Sequence, residues 1–448
     1  MNKLDTALVV SALKKAGFSL AESEEKADVV LINTCSVRRH AEEKVLSHLG
    51  DLKGIKRERP GMVVGVIGCM AQRLGAELLE QNSVDIVCGP AQIPQIVDLV
   101  EQARRKKKKL LAITEKIRER PAEDQNQELE KFESIFDRGN SGLPNQAFVR
   151  AMRGCDNFCT YCIVPFVRGP EISRQPKAII EQIRKLADDG IRQVTLLGQR
   201  INSYKYRAGE RTYCLADLLR MASKVEGIEW IRFVTSYPTN EFFDEILQAM
   251  ADSPKVCNYL HMPAQSGSDE ILKVMNRRYT ASQYLEMLER AKAVVAGIEI
   301  AGDFIVGFPG ETEGDFEDTV ELVRKARYKN CFIFKYSPRP GTISEKRQQD
   351  NVPDEVKKKR NSDLLGVQEE ISGELSGKFL NKEVMILVEG LSKKPHLNKD
   401  DNGDNPQLIG RTATDWIVVF NGPLSLAGQF AKVQITKTSP LTLFGRLS

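Results

Sequence analysis

Three cysteines crowd into Arg153-Gly154-Cys155-Asp156-Asn157-Phe158-Cys159-Thr160-Tyr161-Cys162, with the spacing C-x3-C-x2-C. Thiolates are the usual protein ligands of iron–sulfur clusters. Three of them hold three irons of a [4Fe–4S] cube and leave the fourth iron without a protein ligand. Structural zinc takes four ligands, and no fourth residue presents itself beside this triplet. Two further cysteines each follow a short apolar run: Cys35 in Asn33-Thr34-Cys35-Ser36-Val37-Arg38, and Cys69 in Gly68-Cys69-Met70-Ala71-Gln72-Arg73. Cys88, Cys214, Cys257 and Cys331 lie scattered among apolar neighbours and read as small buried hydrophobes. Nine cysteines in 448 residues is an odd and sparse count for a disulfide scaffold, so the clustered thiols point to metal or redox chemistry.

A folded chain must hold these thiols. Hydrophobic residues at 41% and charged residues at 28% are globular proportions, and the length suggests two to four domains. No apolar run approaches the ~18 residues of a membrane span. The start, Met1-Asn2-Lys3-Leu4-Asp5, lacks the basic-then-apolar layout of a secretory signal. A cytoplasmic protein without a membrane partner is therefore expected. The net charge is only +4, so bulk electrostatics announce no polyanion. Basic charge is nevertheless dense at Arg104-Arg105-Lys106-Lys107-Lys108-Lys109, which reads as a solvated linker or as a nucleic-acid contact.

Periodicity divides the chain into a small α/β domain (1–103), a polar linker or hinge helix (104–145), a larger α/β domain (146–371) and a β-rich tail (372–448). In the first, short apolar strands at Asp28–Asn33, Met62–Ile67 and Val84–Cys88 suit a parallel sheet covered on both faces. Cys35 and Cys69 then follow strand ends, where open α/β sheets bind ligands. The chain opens directly in a helix, with no strand before it. In the larger domain, six strand-then-helix repeats predict a partial (β/α)6 barrel, with strands at Ala147–Met152, Gln193–Leu197, Trp230–Thr235, Asn258–His261, Glu299–Val306 and Asn330–Tyr336. The cysteine triplet follows the first of these strands, at the end where such barrels place their chemistry. The tail predicts a small β-barrel with strands at Val384–Val388, Trp416–Phe420 and Phe430–Thr436, with Gly403 and Gly410 as punctuation between the first two. Nine basic residues against six acidic ones give residues 377–448 a net +3.

The triplet spacing resembles the signature of the radical-SAM superfamily, whose fold is also a partial (β/α)6 barrel. The segments around Cys35 and Cys69 are similar to the NTC-x-VR and GC-x-AQR motifs of the methylthiotransferase family within it. Further stretches resemble the branch of that family acting on isopentenylated adenosine in tRNA. These are Leu196-Leu197-Gly198-Gln199-Arg200-Ile201-Asn202-Ser203-Tyr204, Thr235-Ser236-Tyr237-Pro238, His261-Met262-Pro263-Ala264-Gln265-Ser266-Gly267-Ser268, Asp303 to Thr312 and Tyr336 to Thr342. The chain departs from the pattern at Arg200, where Asn is common, and at Tyr237, where His is usual. The tail resembles a TRAM domain.

The resemblance implies S-adenosylmethionine (SAM) bound at the open iron of the Cys155/Cys159/Cys162 cluster, and a second, auxiliary [4Fe–4S] cluster in the N-terminal domain. It implies transfer of a methylthio group to C2 of N6-isopentenyladenosine beside the anticodon. The alternatives are a threonylcarbamoyl-adenosine in tRNA or a ribosomal-protein aspartate as target. It further implies a reducing electron donor and a sulfur source, and a monomer is expected. Cys35 and Cys69 are the implied auxiliary ligands. The family's first cysteine belongs to a G-C-Q-M-N motif, and this chain is expected to start after it, short of a third ligand and a first strand; Cys88 is the remaining substitute. Gln199, Ser236, Gln265 and Ser266 sit at strand ends, where they can bond SAM or simply tie down loop backbone. His261 reads as a satisfied strand-end histidine, Glu311 as helix-start chemistry, and Gly307 and Gly310 as turn residues. No catalytic residue is expected beyond the clusters.

Overall fold

A computed structural model describes residues 1–34, 39–106, 108–120, 123–136, 142–393 and 405–448. The chain divides into two units. The first comprises residues 1–141 together with 152–174 and 339–346. Its parallel sheet runs in chain order through β1 (Val29–Thr34), β2 (Val63–Gly68), β3 (Ile86–Cys88) and β4 (Leu110–Ala112). Every residue of β2 is buried, as befits a central strand covered on both faces. Val30, Leu49, Leu52, Val64, Val66 and Val87 form its core. β4 lies in the stretch read as linker; three residues beside a basic run give no periodic signal. After β2 the chain forms two short helices, Cys69–Leu74 and Ala76–Leu79, separated at Gly75 (φ +51°). Arg104, Arg105 and Lys106 form the last turn of the helix Ile96–Lys106, where positive charge complements the helix dipole.

The second unit comprises residues 142–151, 175–338 and 347–448. Six parallel strands alternate with helices: β5 (Gln146–Arg150), β6 (Gln193–Leu197), β7 (Trp230–Val234), β8 (Tyr259–His261), β9 (Glu299–Val306) and β10 (Asn330–Lys335). They form two hydrogen-bonded sets, β7-β6-β5 and β8-β9-β10, joined by the parallel bridge between Ile231 and Val256. This is the expected partial barrel. All five residues of β6 are buried.

The helix Asp354–Gly377 leads into a closed barrel of β11 (Glu383–Leu391), β12 (Gln407–Thr412), β13 (Ile417–Asn421), β14 (Phe430–Thr438) and β15 (Thr442–Leu447), in the order β11-β12-β13-β15-β14. β12 and β15 escaped the sequence reading. Gly410, taken as punctuation, instead lies within β12, where a Cβ would come within 2.8 Å of the Leu387 carbonyl oxygen. Gly403 lies outside the described residues.

Candidate active site

The triplet loop is shaped by residues that tolerate positive φ. Gly154 has φ +74°, and a Cβ there would fall 1.8 Å from the Pro170 carbonyl oxygen, so only glycine fits. Phe158, between the first two cysteines, turns the backbone with φ +49°. Its ring packs edge-on to Phe166 at 5.9 Å and lies under the Arg118 guanidinium at 4.7 Å. Arg118 also donates to the Cys155 carbonyl at 3.2 Å and pairs with Asp156. The Cys155 N–H donates to Gly169 O at 3.1 Å, and the Cys162 N–H to Cys159 O at 2.9 Å. Cys155 and Cys159 are buried, Cys162 is partly exposed, and none of the three is in a disulfide. Among the described residues no three His, Cys, Asp or Glu side chains converge as one metal ion would require; a cube instead takes its thiolates at separate irons. The donor set of three buried or half-buried thiols on a pinned loop fits that group.

Cys69 opens the helix Cys69–Leu74 directly after β2. Gly68 before it (φ +96°) passes so close to β1 that a Cβ would lie 2.6 Å from Thr34 O. Arg168 reaches it from the short helix Val164–Arg168, beyond the triplet: Nε donates to Cys69 Sγ at 3.3 Å and Nη2 to Asp5 Oδ2 at 2.9 Å. Burial works against the guanidinium's charge, and Asp5 and Cys69 more than offset it. Cys35 lies outside the described residues. Cys88 is wholly enclosed, and burial pushes its thiol up to about 12. Burial likewise raises the thiols of Cys214, Cys257 and Cys331.

In the second unit the strand ends carry the other expected site residues. Ser236 is 3% exposed, and its hydroxyl has no hydrogen-bond partner, while its N–H donates to His261 O at 3.0 Å. The buried side-chain oxygen of Gln199 is likewise unmatched. Such groups are costly unless something bonds them. Thr235, immediately before Ser236, has φ +73°, an outlier for a β-branched residue, and Gln265 has φ +76°. Strain of this kind persists where surroundings over-determine it, and it concentrates at functional sites. Gln265 is bridged to β9 through Asp303 O (2.8 Å) and the Ile305 N–H (3.0 Å). Ser266 takes the structural role: its hydroxyl meets Thr319 Oγ1 at 3.3 Å and accepts the Ser268 N–H at 3.2 Å.

His261 Nε2 sits 3.0 Å from Asp303 Oδ1, the satisfied arrangement expected of it. Glu311 accepts the Gly307 N–H at 2.6 Å and Arg360 at 2.7 Å; burial nevertheless pushes its carboxyl up. Gly307 (φ +69°) and Gly310 (φ +84°) are turn residues. The two departures from the family pattern meet: the Arg200 guanidinium lies 5.0 Å from the Tyr237 ring centroid. Sequence reasoning missed Arg118 and Arg168, whose partners lie far away along the chain and leave no local pattern.

Comparison with known proteins matches the radical SAM superfamily over residues 149–323, the uncharacterized protein family UPF0004 over 1–89 and the TRAM domain over 377–448. A tRNA-2-methylthio-N(6)-dimethylallyladenosine synthase of Rhodopirellula baltica is 42% identical, covering 100% of this chain and 93% of its own. Its namesake from Carboxydothermus hydrogenoformans is 40% identical over 100% of this chain and 97% of its own. Among solved structures, the radical S-adenosylmethionine methyltransferase TsrM from Kitasatospora setae aligns with a TM-score of 0.54 at 13% identity, over 76% of this chain and 73% of that one. That likeness speaks to the fold. The identity over full length decides the family: the chain belongs to the tRNA-2-methylthio-N(6)-dimethylallyladenosine synthases, radical-SAM methylthiotransferases.

Proposed function

We propose that this protein transfers a methylthio group to C2 of N6-isopentenyladenosine next to the anticodon of tRNA, giving 2-methylthio-N6-isopentenyladenosine. The observation that carries the reading is identity of about 40% with synthases of that name over the whole chain. Cys155, Cys159 and Cys162 are the ligands proposed for the SAM-binding [4Fe–4S] cluster, and Cys35 and Cys69 for an auxiliary one. When bound, such clusters with SAM supply the radical chemistry that a weakly activated aromatic C–H demands.

The chain's own residues do the rest. Arg118, Gly154 and Phe158 fix the triplet loop. The unmatched oxygens of Gln199 and Ser236 supply acceptors, and for Ser236 also a donor, suited to the polar groups of SAM. Gln265 and Ser266 hold the neighbouring strand-end loop in shape. A target adenine reaches such residues only when splayed out of its stack, which a single-stranded anticodon loop permits. The reaction further needs an electron donor and a sulfur source, and the proposed state is a cytoplasmic monomer of N-terminal, barrel and TRAM-like parts. No helix among the described residues is long and apolar enough to cross a membrane.

Mass spectrometry of tRNA nucleosides from cells lacking the gene tests the reading. The methylthio-isopentenyl nucleoside should vanish and its isopentenyl precursor accumulate. Loss of a methylthio-threonylcarbamoyl nucleoside instead would overturn it.

A further inference from the structure

The inner face of the (β/α) barrel carries an aromatic ring that the fold leaves half uncovered. Side chains alternate along a strand, so neighbouring residues of β9 point to opposite sides of the sheet. Phe304 packs edge-on to Tyr328 at 5.7 Å, and the Tyr328 hydroxyl donates to Tyr284 Oη at 2.8 Å, on the helix Ala281–Val294. Phe304 therefore faces the helices, and Asp303 faces the interior. His261 of β8 joins Asp303 there, with Nε2 3.0 Å from Asp303 Oδ1. Phe332 of β10 is the residue paired with Asp303 in the parallel ladder. Its ring stands edge-on to the His261 imidazole, with 6.2 Å between centroids. Phe332 is 49% exposed, whereas Phe304 on the helix side is fully buried.

Packing alone does not ask for this ring. Barrel interiors are filled by side chains that cover one another, and the His261–Asp303 pair satisfies itself without an aromatic neighbour. What Phe332 adds is a flat apolar surface bordered by polar groups. A nucleobase has the matching form, with apolar ring faces and an edge of hydrogen-bond donors and acceptors. An adenine splayed from the anticodon loop loses its stacking neighbours, and an aromatic side chain replaces one of them. The wall also adjoins the strand end already assigned to SAM, because the Ser236 N–H donates to His261 O at 3.0 Å.

We propose that Phe332 is the surface on which the target adenine stacks, with the His261–Asp303 pair as its polar border. The inference rests on the tRNA reading above and deepens it by naming the residue that receives the base. The experiment measures binding of the full-length, iron-loaded protein to two RNAs. One is an isopentenylated anticodon stem-loop, and the other is the same stem-loop with an abasic target position. Phe332→Ala should weaken binding of the isopentenylated RNA about tenfold, the loss expected for one base stack. Phe332→Leu, which keeps apolar bulk without a ring, should weaken it similarly, and Phe332→Trp should stay within about twofold of wild type. On the abasic RNA, wild type and all three variants should bind alike, since no base remains to stack. A phenylalanine that only supports the fold would weaken both RNAs equally. Equal weakening on both RNAs, or wild-type affinity of Phe332→Leu for the isopentenylated one, overturns the proposal alone. A wild-type protein that binds both RNAs equally and forms no methylthio product from the isopentenylated one overturns the functional reading, and this proposal with it.

Discussion

Ser236 and Ser266 have the same side chain at neighbouring strand ends, yet their hydroxyls do different things. Ser266 bonds Thr319 and the Ser268 N–H inside the protein, whereas the Ser236 hydroxyl is buried and unmatched. Ser266→Ala should therefore cost about 1 kcal/mol of stability. Ser236→Ala should leave the thermal midpoint at or above the wild-type value and raise the KM for SAM. Midpoints in the reverse order would show the roles are assigned the wrong way round. The sequence could name both serines but not tell them apart, because the difference lies in Thr319, more than fifty residues away. The cysteine triplet is the opposite case: its spacing is local, so chemistry could be read directly from it. Reduced, reconstituted protein should form 5′-deoxyadenosine from SAM, and Cys155→Ala, Cys159→Ala and Cys162→Ala should each abolish it. Cleavage near wild type in any one of them would remove that residue from the ligand set.

At the level of elements, legibility followed burial. β6 and β2 are covered on both faces and announce themselves as unbroken apolar runs. β4 and β12 are short or interrupted by glycine, and they exist because a neighbouring strand offers a ladder, which no local pattern reports. The start of β10 carries an energetic consequence. Lys329, just before it, is 5% exposed and donates to Asp415 O at 2.5 Å, with the Asp415 carboxylate 3.6 Å away. Burial lowers its pKa from 10.5 to about 8, with Asp415 pulling the other way. The unfolded chain takes up this proton near 10.5, and the folded protein only near 8. Stability is thus fully present above the unfolded value and lost as pH falls through that window, by about 1.4 kcal/mol per pH unit. Lys329→Met should remove this slope, since Asp415 keeps Arg411 at 3.2 Å and Arg232 at 3.7 Å. Thermal midpoints of both proteins from pH 8 to 10 decide it: parallel curves would mean that Lys329 does not titrate in the window.

For the whole second unit, the β-rich tail, with its mild positive excess, packs directly onto the (β/α) barrel. Trp230 of β7 packs edge-on against Phe430 of β14 at 4.8 Å, in a cluster with Cys257 and Leu387. Arg232, 7% exposed, donates to Thr412 O at 2.5 Å and Ala413 O at 3.1 Å. Two buried cations of the (β/α) barrel, Arg232 and Lys329, therefore find acceptors in the tail. Removing residues 377–448 would strip both of those partners and uncover the Trp230 face. Breaking one such buried arrangement costs about 3–5 kcal/mol. Truncation before Gly377 should accordingly lower the thermal midpoint and reduce SAM cleavage through loss of folded protein, so weakened tRNA binding by that variant would say nothing about RNA contacts. Neutralising exposed charges is the cleaner probe. Lys437→Gln with Arg446→Gln, on β14 and β15, should leave the midpoint unchanged and weaken tRNA binding with a shallower salt dependence. A truncated protein that melts at the wild-type temperature would show the tail to be independent after all. A double variant with unaltered salt dependence would show that this side of the β-barrel does not meet RNA.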